Sequence, residues 1–68
     1  MKANFYLVET LTTRVITEKE FKASIKKLEV CGIDPIECIE VVHGIRDGKL
    51  DIEVYLEIPS DKLKKYKL

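Results

Sequence analysis

The chain has 68 residues, 46% of them hydrophobic and 35% charged, with twelve basic side chains balanced by twelve acidic ones. That length allows one domain, residues 1–68, because domains rarely fall below about 50 residues, and an ordinary apolar fraction at zero net charge excludes intrinsic disorder. A single core of this size rarely contributes more than about 3–5 kcal/mol, so outside support is expected. Two cysteines, Cys31 and Cys38, make no dense disulfide framework, and one histidine, His43, limits any metal set. Self-association remains, and a homodimer is the expected assembly.

In chain order, Asn4 to about Thr10 reads as a first strand. The apolar run inside it, Phe5-Tyr6-Leu7-Val8, ends at Glu9 and is too short for a signal-peptide core or a membrane span. A cytoplasmic protein with reduced thiols is therefore expected. A helix follows from about Glu18 to Cys31. Thr17 and Glu20 have capping-box spacing, and Ile16 with Phe21 makes a hydrophobic staple. At the far end Gly32 can adopt the left-handed conformation and let Ile33 fold back on Leu28 in a Schellman motif. Phe21, Ser24, Ile25, Leu28 and Cys31 share one face at the 3.6-residue period, so the helix lies on something.

The something is a sheet. After the Asp34-Pro35 turn, Ile36 to His43 reads as a second strand, and Leu50 to Ile58 as a third that alternates strictly. Leu50, Ile52, Val54, Leu56 and Ile58 take one face, and Asp51, Glu53, Tyr55 and Glu57 the other. Asp47-Gly48 is a strong signal for a two-residue hairpin turn. That turn pairs Ile45 with Leu50, His43 with Ile52, Val41 with Val54 and Ile39 with Leu56, and turns Ile39, Val41 and Ile45 to the core side. A glycine-bulge turn would slip the pairing by one and turn Ile36, Cys38 and Val42 inward instead. The two-residue turn is preferred because it leaves Glu40 in water.

A right-handed crossover through the helix would make strand one parallel to strand two, with strand three between them in the order 1-3-2. The expected fold is thus α+β, βαββ(α), a three-stranded mostly antiparallel sheet with one helix on one face. As an arrangement of elements it resembles half of a ferredoxin-like fold, a likeness that assigns no function. Residues 59–68 form a basic segment in which Leu63 and Tyr66 are spaced to dock as a short helix, or fray as a tail.

No chemistry is assembled at motif spacing. Cys31, Cys38 and His43 lack the C-x₂-C or H-x₃-H spacing of a zinc site. On the preferred register Cys31 points to the core and Cys38 outward, which disfavours a disulfide between them. His43 has only Asp47 and Asp51 as nearby carboxylates, and a hydrogen-bonded structural histidine is expected. Each of the three glycines serves a cap or turn, so none is left for a phosphate cradle. No metal or cofactor is called for, and no enzyme is expected.

The balanced charge is segregated. Residues 1–34 carry six basic and five acidic side chains, residues 35–58 two and six, and residues 59–68 four and one. Glu40, Asp51, Glu53 and Glu57 line one face of the last hairpin around Tyr55, an acidic strip suited to a basic protein surface. Tyr6, Val8, Cys38, Val42 and Tyr55 add apolar groups to that second sheet face, which a covering partner would explain. The expected function is that of a small non-catalytic interaction domain, a regulator, inhibitor or accessory factor of the sort common in phages and mobile elements. It would act through the acidic face or an edge of its sheet on another protein. The alternative is nucleic-acid binding by Lys62, Lys64, Lys65 and Lys67, with Tyr66 as a stacking aromatic.

Overall fold

In the computed structural model, which describes residues 2–67, the end signals of the helix are both met, and α1 spans Glu18–Val30. The Thr17 hydroxyl oxygen accepts from the Glu20 N–H at 3.1 Å. The Glu20 carboxylate does not reach back to the Thr17 N–H as a full capping box would. It takes the Thr17 hydroxyl proton at 3.5 Å and the Arg14 guanidinium at 3.3 Å instead, and so ties the helix start to the preceding strand. At the other end Gly32 sits at φ +77°, with the Ile33 N–H on the Leu28 carbonyl at 2.9 Å and the Gly32 N–H on that of Glu29 at 3.0 Å. These are the two bonds of a Schellman motif. Leu28 and Ile33 are both buried there, and Cys31 is the C-cap, one residue past the helix.

The sheet has one strand more than the sequence pattern announces. β1, Lys2–Glu9, turns back through Thr10 and Leu11 into β2, Thr12–Ile16, pairing Phe5 with Ile16 and Glu9 with Thr12. The backbone demand of this turn falls on Thr10 at φ +53°, a conformation β-branched residues seldom adopt. With β3, Ile39–Arg46, and β4, Lys49–Ile58, the result is a mixed four-stranded sheet in the order β2-β1-β4-β3. The extra hairpin corrects the expected topology. Because the chain has already reversed before it enters α1, β1 runs parallel to β4, pairing Tyr6 with Tyr55 and Leu7 with Leu56. It is antiparallel in direction to β3, where a three-stranded 1-3-2 sheet required it to be parallel. Strand one is also interior, so the sheet edges are β2 and β3.

The Asp47-Gly48 register is the two-residue one: Ile45 faces Leu50, His43 faces Ile52, Val41 faces Val54 and Ile39 faces Leu56, with both turn residues at positive φ. The strand before it starts later than expected. Pro35–Cys38 is a 3-10 turn capped by the Asp34 carboxylate, which accepts from the Ile36 N–H at 3.1 Å. Cys38 is consequently buried, its thiol 3.7 Å from the Asp34 carbonyl oxygen, and does not point outward from a strand. Its burial, chiefly, pushes the thiol pKa up. Both cysteines are free.

After β4, Ser60–Lys62 forms a second 3-10 turn and Leu63–Tyr66 the short α2. Ser60 provides no side-chain cap. The segment holds by docking: the Cys31 thiol donates to the Lys65 carbonyl at 3.6 Å, Lys27 Nζ lies 4.5 Å over the Tyr66 ring, and Lys67 Nζ stands 3.2 Å from Glu9 Oε2. That oxygen is enclosed, and the ion pair is aligned too poorly to count as a hydrogen bond. Leu68, the end of the basic segment, lies outside the described residues.

Leu7, Ile16, Leu28, Ile33, Cys38, Leu56, Ile58 and Tyr66 form the core, between α1 and one face of the sheet. Their distribution along the sheet is uneven. α1 begins beside Ile16, which is level with Phe5, Val54 and Val41, so Ile52, His43, Leu50 and Ile45 lie beyond the helix start. Ile45 therefore sits on the core side of the sheet yet stays 80% exposed, and Val41, level with the helix start but on the edge strand β3, stays 53% exposed. The outlying hairpin stretches the molecule to 42 × 22 × 18 Å. No helix among the described residues is long and apolar enough to cross a membrane.

Candidate functional site

The second face of the sheet is built by alternation and register. Val15 of β2, Tyr6 of β1, Tyr55 of β4 and Glu40 of β3 make one row across it, since each is paired with the next. Asn4, Glu53 and Val42 make the row below; Thr13, Val8 and Glu57 make the row above. α1 and α2 both pack on the other side, where Tyr66 joins the core and Lys67 meets Glu9, so neither covers this face. The acidic strip of Glu40, Asp51, Glu53 and Glu57 is thus gathered on one surface with Tyr55 inside it.

Its centre is an aromatic pair. Tyr6 and Tyr55 stack with ring centroids 4.8 Å apart and planes 15° from parallel, and the Tyr6 hydroxyl donates to Glu53 Oε2 at 3.3 Å. Both phenol pKa values are raised, first by loss of water around the rings, then by the Glu53 carboxylate, which favours the protonated phenol by charge and by hydrogen bonding. Asp51 is partly neutralised by Arg46 Nε at 3.7 Å. Glu40 and Glu57 are exposed and have no ion-pair partner among the described residues. The arrangement offers two stacked rings, a hydrogen-bond acceptor beside them at the Tyr6 hydroxyl and further carboxylates around them.

Tyr6 lies on this face, as the sequence implies, but its place at the centre of the site, stacked on Tyr55, is set by the structure. Its alternation with Asn4 and Val8 put it on one face of strand one, but only the parallel register sets it beside Tyr55. The basic segment is arranged differently. Lys62, Lys64 and Lys65 are exposed, Lys67 is engaged with Glu9, and Tyr66 is only 7% exposed with Lys27 over its ring. The ring expected to stack on a base is taken up inside the fold. His43 is likewise not the hydrogen-bonded structural residue expected: it is exposed on the α1 side of β3, and its side chain makes no hydrogen bond among the described residues. Cys31, Cys38 and His43 do not converge; among the described residues no three metal-ligating side chains cluster.

Compared with known proteins, the chain matches no family model, no curated protein and no solved structure.

Proposed function

We propose that the protein is a small non-catalytic interaction domain that binds a basic surface of another protein through the open face of its sheet. The observation that carries this reading is the Tyr6–Tyr55 stack with Glu53 beside it, set mid-sheet on a face that neither helix nor any other element among the described residues covers. Tyrosines are frequent energetic centres of interfaces because a large rigid ring is desolvated at little cost in conformational entropy. Carboxylates around them favour a positively charged partner by complementarity and speed its approach. Glu40, Glu57 and the Arg46-paired Asp51 supply that surround.

The test is affinity capture from native lysate with the wild-type chain and with two variants, identifying what is retained. Glu53→Lys with Glu57→Lys is expected to abolish capture, and Tyr55→Ala to weaken it by about 2 kcal/mol or more, while thermal unfolding shows a folded chain in each case. Capture that survives the double charge reversal would reduce the strip to a solvated face.

A further inference from the structure

We propose that β3 pairs edge to edge with β3 of a second copy, antiparallel about a two-fold axis at His43, joining two four-stranded sheets into one of eight. The two edges of the sheet differ in a way that selects β3. β2 has five residues and is tied to α1 through Arg14 and Glu20. β3 has eight residues in an unbroken ladder with β4, and contains neither proline, lysine nor bulge, the usual guards of a free edge. Every residue from Val41 to Arg46 is exposed.

The turn then decides which backbone groups are on offer. In a two-residue hairpin the flanking pair, here Arg46 and Lys49, exchanges both of its hydrogen bonds, and the pattern alternates from there. Arg46, Gly44, Val42 and Glu40 therefore address β4, and Ile45, His43, Val41 and Ile39 turn their N–H and C=O groups outward. A symmetric partner matches outward residues to outward residues. With the axis at His43, Val41 meets Ile45 of the second copy and Glu40 meets Arg46 of the second copy, each twice. An axis at Val42 sets Glu40 against glycine, and axes at Val41 or Gly44 set Glu40 or Arg46 against valine. Only the His43 axis completes both charge pairs.

The same register gives neighbours to Val41 and Ile45, core-side aliphatic residues of the edge strand that stay exposed. Cross-strand apposition of aliphatic residues and of opposite charges is the ordinary source of sheet stability. The pairing uses the edge and leaves the Tyr6–Tyr55 face open, so it does not depend on the function proposed above.

Sedimentation equilibrium of the full chain over a range of concentrations tests it. The wild type is expected to show a reversible monomer–dimer equilibrium. His43→Pro removes an N–H that faces away from β4, a position where an edge strand tolerates proline, and is expected to be a folded monomer by circular dichroism. Glu40→Lys and Arg46→Glu each place like charges together at both ends of the pairing, and each is expected to weaken the dimer at least tenfold. Mixed in equal amounts, these two variants restore opposite charges at both ends and are expected to form a heterodimer. A wild type that stays monomeric at high micromolar concentration, or a dimer that survives His43→Pro, overturns the edge pairing; single variants as dimeric as wild type, or a mixture that stays monomeric, overturn the register. Glu40 belongs to both surfaces, and His43→Pro, which leaves the open face unchanged, separates failure of this pairing from failure of the face.

Discussion

The two hairpins of this sheet are built on opposite terms. Each closes through two residues, with a residue at positive φ in the turn. In β3–β4 that demand is met by Asp47 and Gly48, residue types suited to it, and the tip then extends past the helix with Ile45 80% exposed. In β1–β2 the demand falls on Thr10, which is poorly suited, and tertiary contacts hold the element. Ile16 is in the core, Arg14 is tied to Glu20, and Lys67 reaches Glu9. A hairpin can be specified by its turn or by what packs on it. In this chain the turn best written in the sequence closes the hairpin tip that the rest of the molecule covers least.

The largest expected effect breaks the held region while sparing the projecting one. Leu28, fully buried between α1 and the sheet, is expected to cost about 2–5 kcal/mol on truncation to alanine. A small core contributes little more than that in total, so Leu28→Ala should leave the chain largely unfolded. Ile45→Ala should stay within about 0.5 kcal/mol in the monomer. Urea unfolding at low concentration compares the two; a large loss in Ile45→Ala would mean the helix reaches further along the sheet than its start at Glu18 implies.

A smaller effect exchanges the merits of the two turns. Gly48→Ala at φ +74° is expected to cost about 1–2 kcal/mol, since a Cβ is disfavoured in the left-handed region. Thr10→Gly at φ +53° is expected to stabilise by up to about 1 kcal/mol, the relieved strain exceeding the added chain entropy of glycine. Opposite shifts in denaturation midpoint are the predicted result. If Thr10→Gly shifts the midpoint downward, the strain at Thr10 is not what distinguishes the first turn.

The smallest effect probes the seam where the hairpins meet, the Tyr6–Tyr55 stack between β1 and β4. Burial first and Glu53 second raise both phenol pKa values above the ordinary tyrosine value of about 10. The folded chain therefore holds these protons to higher pH than the unfolded chain does. Their stabilising contribution is complete below about pH 10 and is lost as pH climbs through the raised values. Unfolding midpoints across the alkaline range should decline there, and less steeply in Glu53→Gln, which removes the charge and keeps the side-chain shape. An identical decline in both proteins would exclude Glu53 as a contributor.

Much of the architecture was legible because its signals are local. Thr17, Glu20, Gly32 and Ile33 mark the two ends of α1, and Asp47-Gly48 sets a register that places the acidic residues of β4 and Glu40 on one face. β2 was illegible because Thr10-Leu11 carries no turn signature, and Thr12–Ile16 has one buried side chain at its end rather than an alternating pattern. Cys38 was misplaced because Asp34 caps a 3-10 turn whose apolar residues also suit a strand. Of the open-face site, the carboxylates, Tyr55 and Tyr6 followed from alternation, whereas the stacking of Tyr6 on Tyr55 needed a strand direction that no local signal encodes.

The amino-acid order by itself determined the helix, its buried stripe, the last hairpin and the separation of acidic from basic charge, each of which depends on residues within a turn or two of one another. Tertiary structure alone decided that β1 runs parallel to β4, that Tyr66 enters the core and draws the basic segment away from the open face, and that the helix begins too far along the sheet to cover Ile45. Those outcomes depend on which strands meet and how far one element reaches over another. Both are settled by competition for a small core among residues distant in sequence.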